Sequence, residues 1–268
     1  MEVSPLTDQE FASFQQLLNQ IAGIHLSPAK KPLVTSRLSK RLKQRQCKSF
    51  GEYYQQLRGH DGQDELQIVV DLLTTNETYF FRETKHFDFL KQRILPAHRR
   101  GAQFRVWSAA CSSGEEPYSI AMMLAASLGD NAWEVVASDL STRVLERARS
   151  GHYALERAQH IPRDYLTSYC LKGTGSKEGT FLVERRLRDR IRFMQVNLNS
   201  ALPKLGEFDV IFLRNVMIYF ELETKQQVVK RLLQALRPGG YFLVGHSESL
   251  NGVTDELRVI MPSIYQKP

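Results

Sequence analysis

At 268 residues, 42% hydrophobic and 24% charged, the chain has the length for one large domain plus a small one and the composition of an ordinary globular protein. No apolar run approaches bilayer-spanning length, and the opening MEVSPLTDQE lacks the pattern of a signal peptide. A net charge of +7 and a pI of about 9.3 favour an acidic partner (nucleic acid, a membrane surface or an acidic protein) without choosing among them.

In chain order, Phe11, Phe14, Leu17, Leu18 and Ile21 recur at spacings of three and four and predict a helix from Thr7 to Gly23. Lys30 to Lys48 carries eight basic residues and no acid, beside a thin apolar stripe of Leu33, Leu38 and Leu42. That is an amphipathic basic helix: either a solvated face or a surface for an acidic partner. Short helices are expected at Phe50–Leu57 and Glu65–Leu73, with GHDGQD as a turn between them. Residues 1–75 therefore form an all-helical domain. Residues 76–103 link it to the remainder, through TTNETYFFR, a helix reaching Pro96 and a basic turn at His98–Ala102.

An α/β pattern begins at Phe104. Phe104–Ala110 reads as a buried strand, Cys111–Gly114 as a small-residue turn, and Glu115, Glu116 and Pro117 as the first turn of a helix. The turn lacks G-x-x-x-x-G-K-[ST] and G-x-G-x-x-G, and two carboxylates at the helix start repel a phosphate. They suit a ligand with positive charge or hydroxyl groups, such as S-adenosylmethionine (AdoMet), which has a sulfonium, an ammonium and a ribose. EVVAS at 134–138 is a second strand ending in Asp139, where a carboxylate can accept both ribose hydroxyls. Helices follow at Ser141–Arg149 and Pro162–Leu171. Short strands at Phe181–Val183 and Ile191–Phe193 predict an inserted β-hairpin or small sheet near 172–193, with glycines at 173, 175 and 179 in its loop. Further strands are expected at Met194–Leu198, Phe208–Leu213, Tyr241–Val244 and Val259–Ile264, with a helix at Thr224–Leu236. Such alternation predicts a mostly parallel sheet over 104–268, with ligands beyond the carboxyl ends of its strands. Gly114, Glu116, Asp139, Asn197, Arg214 and Asn215 all fall at such ends.

Three widely spaced cysteines, Cys47, Cys111 and Cys170, argue for a reducing, cytoplasmic compartment and against a disulfide framework. The seven histidines form no metal-ligand pattern, so no metal is expected.

NETYFFR, VWSAACSSGEEPYSIAM, ASDLSTRVLERARSGHY, VNL, RNVMIYF and GHSE give the chain, along nearly its whole length, a resemblance to the CheR-type chemoreceptor glutamate O-methyltransferases. The resemblance implies a small helical domain followed by a Rossmann-like AdoMet-dependent domain with an inserted antiparallel β-subdomain. It implies cofactor contacts from Asn76, Thr78, Arg82, Glu116, Asp139, Asn197, Leu198, Arg214 and Asn215, with Glu115 beside Glu116 leaving that assignment open. Arg82 and Tyr219 become candidates for acting on the substrate carboxylate or on methyl transfer. S-adenosylhomocysteine (AdoHcy) would be the product. Arg37, Lys40, Arg41 and Lys43 would face the acidic methylation helices of a receptor, and the hairpin can dock a receptor C-terminal peptide. Methylation of nucleic acid is disfavoured: an Asn- or Asp-Pro-Pro-Tyr-like tetrapeptide is expected after the fourth strand, where this chain has Arg214, Asn215, Val216 and Met217.

Overall fold

The computed structural model describes residues 3–59, 62–99 and 101–268. The turns expected around GHDGQD and His98–Ala102 include His60, Asp61 and Arg100, which lie outside the described residues.

The N-terminal domain packs four helices, α1 (Asp8–Ala22), α2 (Lys31–Gln44), α3 (Phe50–Leu57) and α4 (Gly62–Leu73). The Thr7 hydroxyl accepts from the Glu10 amide while the Glu10 carboxylate accepts from the Thr7 amide at 2.9 Å, a reciprocal cap that fixes where α1 begins. The core holds Phe14, Leu38, Leu42, Phe50 and Tyr53, all fully buried. At ~1.5–3 kcal/mol for each large apolar side chain, such residues supply most of this small domain's stability. The buried stripe of α2 is Val34, Leu38 and Leu42. Leu33, expected in that stripe, lies one residue round the helix from the i, i+4 row and lines a cavity instead.

An extended segment, 74–83, leads into α5 (Thr84–Phe89), which continues through a π-helical turn (Leu90–Ile94) into α6 (Leu95–Ala97). The α/β domain then runs β1 (Phe104–Ser108), α7 (Glu115–Leu128), β2 (Trp133–Asp139), α8 (Thr142–Ser150), β3 (His152–Ala154), α9 (Arg163–Tyr169), β4 (Cys170–Lys172), β5 (Thr180–Val183), α10 (Arg185–Arg188), β6 (Ile191–Gln195), β7 (Phe208–Leu213), α11 (Leu222–Leu233), β8 (Leu236–Val244), β9 (Arg258–Met261) and β10 (Ile264–Gln266). Seven strands form one sheet in the order β6-β2-β1-β7-β8-β10-β9, parallel from β6 to β8 and antiparallel beyond. Val106, Val210 and Phe212 face one core layer, and Trp107, Ile211 and Leu213 the other. That two-residue alternation is why the central strands read as continuous apolar runs.

Three sequence expectations need correction. The inserted antiparallel unit is a three-stranded sheet, β3-β5-β4, spanning 152–183. Ile191–Phe193 does not pair with β5. It belongs to β6, which runs parallel to β2 at the edge of the main sheet, because the tract 184–190 holds α10 and carries the chain back to the main sheet. β3 and β4 are three residues each, too short for alternation to register, and β4 falls in the tail of the expected helix Pro162–Leu171. Finally, Val259–Ile264 is not one strand but parts of β9 and β10, turned at Ser263 with φ 64°.

Candidate cofactor-binding site

Strands β1, β2 and β6 extend the sheet one way from its centre and β7 and β8 the other, so the strand order reverses between β1 and β7. In open α/β sheets ligands bind at that reversal, beyond the carboxyl ends of the strands. There the chain leaves β1 and enters α7 through Gly114, whose φ is 96°. A Cβ on Gly114 would come within 2.8 Å of the Tyr153 hydroxyl and 2.9 Å of the Ala148 Cβ, so only glycine fits this turn. The Ser112 amide donates to Asp139 Oδ2 at 2.8 Å and the Ser141 amide to Oδ1 at 2.9 Å. Two turns thereby aim one carboxylate. Burial pushes the Asp139 carboxyl up from its usual range, and those amides offset the rise only in part.

The structure separates the two adjacent acids. Glu115 is fully buried, ion-paired to Arg157 and accepting from the Ser113 hydroxyl. Glu116 accepts from the Ser108 hydroxyl at 2.7 Å and lines a cavity of about 420 Å³, within the usual size range of small-molecule sites. The same cavity is lined by Asn76, Thr78, Arg82, Asp139, Asn197, Leu198, Arg214, Asn215 and Tyr219. All ten residues expected to contact cofactor or reacting groups converge on one space, although they come from five separate segments of the chain.

The helical domain closes that space. Asp71 of α4 accepts from the Thr142 amide and hydroxyl at 3.0 and 2.8 Å, and Gln67 donates to the Leu140 carbonyl. Asn197 donates to the Ile21 carbonyl at 2.7 Å, and the His25 amide donates to the Tyr219 carbonyl at 2.8 Å. These bonds seat the helices on the loops that follow β2, β6 and β7, so Ile24, Leu26 and Leu33 become cavity wall. The double phenylalanine anchors the connecting segment: Phe80 packs edge-on to Tyr153 at 5.1 Å and Phe81 lies 5.1 Å from Phe87. Polar Asn76, Thr78 and Arg82 are thereby held at the cavity while the rings enter the core.

Two acids that sequence reasoning gave no role complete the site. Arg214 is ion-paired to Glu116 at 2.7 Å and to Glu83 at 2.9 Å, and also donates to the Arg82 carbonyl. Burial raises the Glu83 carboxyl, but Arg214 outweighs it and holds it down at about 2. Glu248 accepts from the Asn215 and Gly245 amides at 2.8 and 2.7 Å, and burial pushes its carboxyl up against those amides. It fixes Asn215 in the left-handed region at φ 57°. The signals were adjacency to already notable residues: Glu83 follows NETYFFR, and Glu248 ends GHSE.

Glu83, His86 and His246 place ligand-type atoms within 4.8 Å of one another, the one such group among the described residues. Arg214 occupies the same Glu83 oxygen that a cation would need, so the cluster does not fit a metal. The basic helix also differs from expectation. Arg37 donates to the carbonyls of Leu72, Leu73 and Thr74 at 3.1, 3.2 and 2.8 Å, and Arg41 makes a two-pronged pair with buried Glu65. Of the four expected receptor-facing residues, only Lys40 and Lys43 are exposed and without an ion-pair partner among the described residues.

A parallel sheet with an acid past its second strand, at the strand-order reversal, defines a nucleotide-cofactor-binding α/β domain. Comparison with known proteins narrows this. Residues 76–265 match the CheR methyltransferase, SAM binding domain, and residues 9–74 the CheR methyltransferase, all-alpha domain. The chain belongs to the CheR methyltransferase family, and AdoMet is its cofactor. It is 43% identical over 263 residues to a chemotaxis protein methyltransferase of Escherichia coli, covering 97% of this chain and 91% of that one. It is 41% identical to that of Salmonella typhimurium, covering 97% and 90%, and 41% identical to chemotaxis protein methyltransferase 2 of Pseudomonas aeruginosa, covering 97% and 93%.

Asp139, the residue expected to accept from a ribose, lines the cavity. Asp139→Ala will weaken AdoMet binding by roughly 1.5–3 kcal/mol, the scale of a lost hydrogen bond to a charged group. Calorimetry finding parental affinity in the folded variant would remove Asp139 from the site.

Proposed function

We propose that the protein transfers the methyl group of AdoMet to glutamate side-chain carboxylates of chemoreceptors, giving methyl esters for chemosensory adaptation and releasing AdoHcy. The observation that carries this reading is the convergence of Arg82 and Tyr219 on the same cavity as Glu116 and Asp139. When bound, AdoMet supplies an electrophilic sulfonium methyl. Asp139 accepts from its ribose, Asn197 and Leu198 border its adenine, and Asn76, Thr78 and Glu116 hold its polar methionyl side. The acceptor glutamate is already ionised at neutral pH, since an unperturbed Glu titrates near ~4.3, so the site needs no general base. Its task is orientation and exclusion of water. Arg82 suits the orienting role: it bonds the Glu77 carbonyl at 3.0 Å, lies over the Tyr79 ring, and has no ion-pair partner among the described residues. Tyr219 brings a neutral hydroxyl that steadies the anion without quenching it.

The receptor's acidic methylation helix lies against the exposed lysines of α2, Lys40 and Lys43. A receptor C-terminal peptide adds a strand to the edge of β4, where Leu171 is exposed beside the Gly173–Gly179 loop. The protein acts in the cytoplasm; no helix among the described residues is long and apolar enough to cross a membrane. Labelled AdoMet offered with a receptor cytoplasmic fragment, DNA or RNA tests the reading: base-labile label on the receptor alone is expected, and label on nucleic acid would end it. Arg82→Ala and Tyr219→Phe will lower kcat more than AdoMet affinity, because a contact made mainly in the transition state appears in turnover. Parental rates in both variants would remove the two residues from the reaction. Loss of AdoMet binding in Arg82→Ala would make that residue a cofactor ligand instead.

A further inference from the structure

Glu83 does not line the cavity, yet it joins several separate parts of the site's framework. Its Oε2 accepts from Arg214 Nε at 3.3 Å and Nη2 at 2.9 Å. Its Oε1 accepts from Asn215 Nδ2 at 3.3 Å and the His246 amide at 3.1 Å. One carboxylate thus ties the end of the connecting segment to the ends of both β7 and β8. Arg214 extends the tie to Glu116 and to the Arg82 carbonyl. Glu83 and Phe81 both have positive φ, 59° and 53°, a conformation that non-glycine residues keep only where their surroundings over-determine it.

We propose that Glu83 is a positioning residue for the cofactor: it latches segment 76–82 over the cavity before any ligand arrives and sets the charge balance behind it. Two carboxylates, Glu83 and Glu116, face one guanidinium, which leaves that three-residue cluster with one negative charge in excess. AdoMet carries a sulfonium that AdoHcy lacks, so that excess favours AdoMet over its product. This proposal rests on the reading of the cavity as the AdoMet site.

Glu83→Gln tests it. Glutamine has one acceptor oxygen, and its amide N–H groups face the donors of Arg214, Asn215 and His246. In the ligand-free variant, the amides of 76–82 will exchange hydrogen about tenfold faster while core amides of β1 and β7 keep their protection. AdoMet Kd will rise about tenfold or more, the scale of a lost charged contact, and AdoHcy Kd will rise less. Glu83→Asp keeps the charge on a shorter stem and will restore the AdoMet-to-AdoHcy ratio while leaving 76–82 loosened. Parental exchange in 76–82 overturns the latch, and equal losses for both ligands overturn the charge role. Faster exchange throughout the chain reduces Glu83 to a general structural part. If Glu83→Gln does not fold, Glu83→Asp decides alone, since a parental exchange pattern or an altered ligand ratio in it refutes the proposal. The exchange readout contains no ligand, so it stands apart from any failure of the AdoMet reading.

Discussion

Arg214→Met will lower the stability of the folded chain by about 3–5 kcal/mol, the scale for breaking a buried ion pair by removing one partner, and will abolish AdoMet binding. Arg214 has 2% of its side chain exposed, and Glu83 and Glu116 have 12% each. Methionine fills much of the same volume but leaves two largely buried carboxylates facing each other with no cation. The Arg82 carbonyl also loses its donor, so the segment carrying Asn76, Thr78 and Arg82 loses its hold on the sheet. Urea unfolding and calorimetry read the two effects separately. A variant with the parental midpoint would show that the Glu83–Arg214–Glu116 cluster contributes nothing net to folding.

The same variant carries a pH signature. Arg214 holds the Glu83 carboxyl at about 2, below the ~4.3 of an unfolded Glu. A depressed folded value contributes stability above the unfolded value, and that contribution is lost as pH falls toward the folded one. Without Arg214, burial raises the Glu83 carboxyl instead, and protonation relieves the variant. The difference in melting temperature between parent and Arg214→Met will therefore be largest near neutral pH and will shrink as pH falls from about 4.3 toward 2. A difference that stays constant over that range would mean Glu83 is not titrating against Arg214.

The parallel core was legible in the sequence because each of its elements announces itself locally. FRVWS and FDVIFL are apolar runs of strand length, and the acids at 115, 116 and 139 sit where strands end. The residues expected to contact the cofactor could be assigned to one cavity because motif and strand end coincide. What was not legible depends on pairing at a distance. IRFMQ carries no mark that says whether it joins the preceding strand or a parallel partner some fifty residues upstream. The three-residue strands β3 and β4 are held by β5 between them and have no periodicity of their own. Glu65, which takes up Arg41, lies 24 positions away on another helix. A helix free of acid therefore looked like an open basic face when half of it was already spoken for.

That last difference sets the receptor-docking experiment. Reversing Arg37, Lys40, Arg41 and Lys43 together would mix three effects. Arg41→Glu alone will destabilise the helical domain by about 3–5 kcal/mol. Glu65 has 4% of its side chain exposed, takes both prongs of Arg41 at 2.6 and 2.5 Å, and accepts from the Tyr53 hydroxyl at 2.5 Å. A second carboxylate there would add like-charge repulsion to a lost pair. Arg37→Glu removes three bonds from the carbonyls that end α4 and begin the connecting segment, so it will weaken AdoMet binding through that segment. Lys40→Glu with Lys43→Glu touches neither, because both side chains are exposed. That double variant will keep its melting temperature and AdoMet affinity yet methylate receptor fragments more slowly, most of all at low salt. Exposed charges act mainly on encounter rate and are screened over about 10 Å at 0.1 M ionic strength. Parental methylation by the double variant at low salt would mean the lysines of α2 face only water. A parental unfolding midpoint in Arg41→Glu would mean that Arg41 is free for a partner after all, and the receptor-facing surface would then extend along the whole basic face.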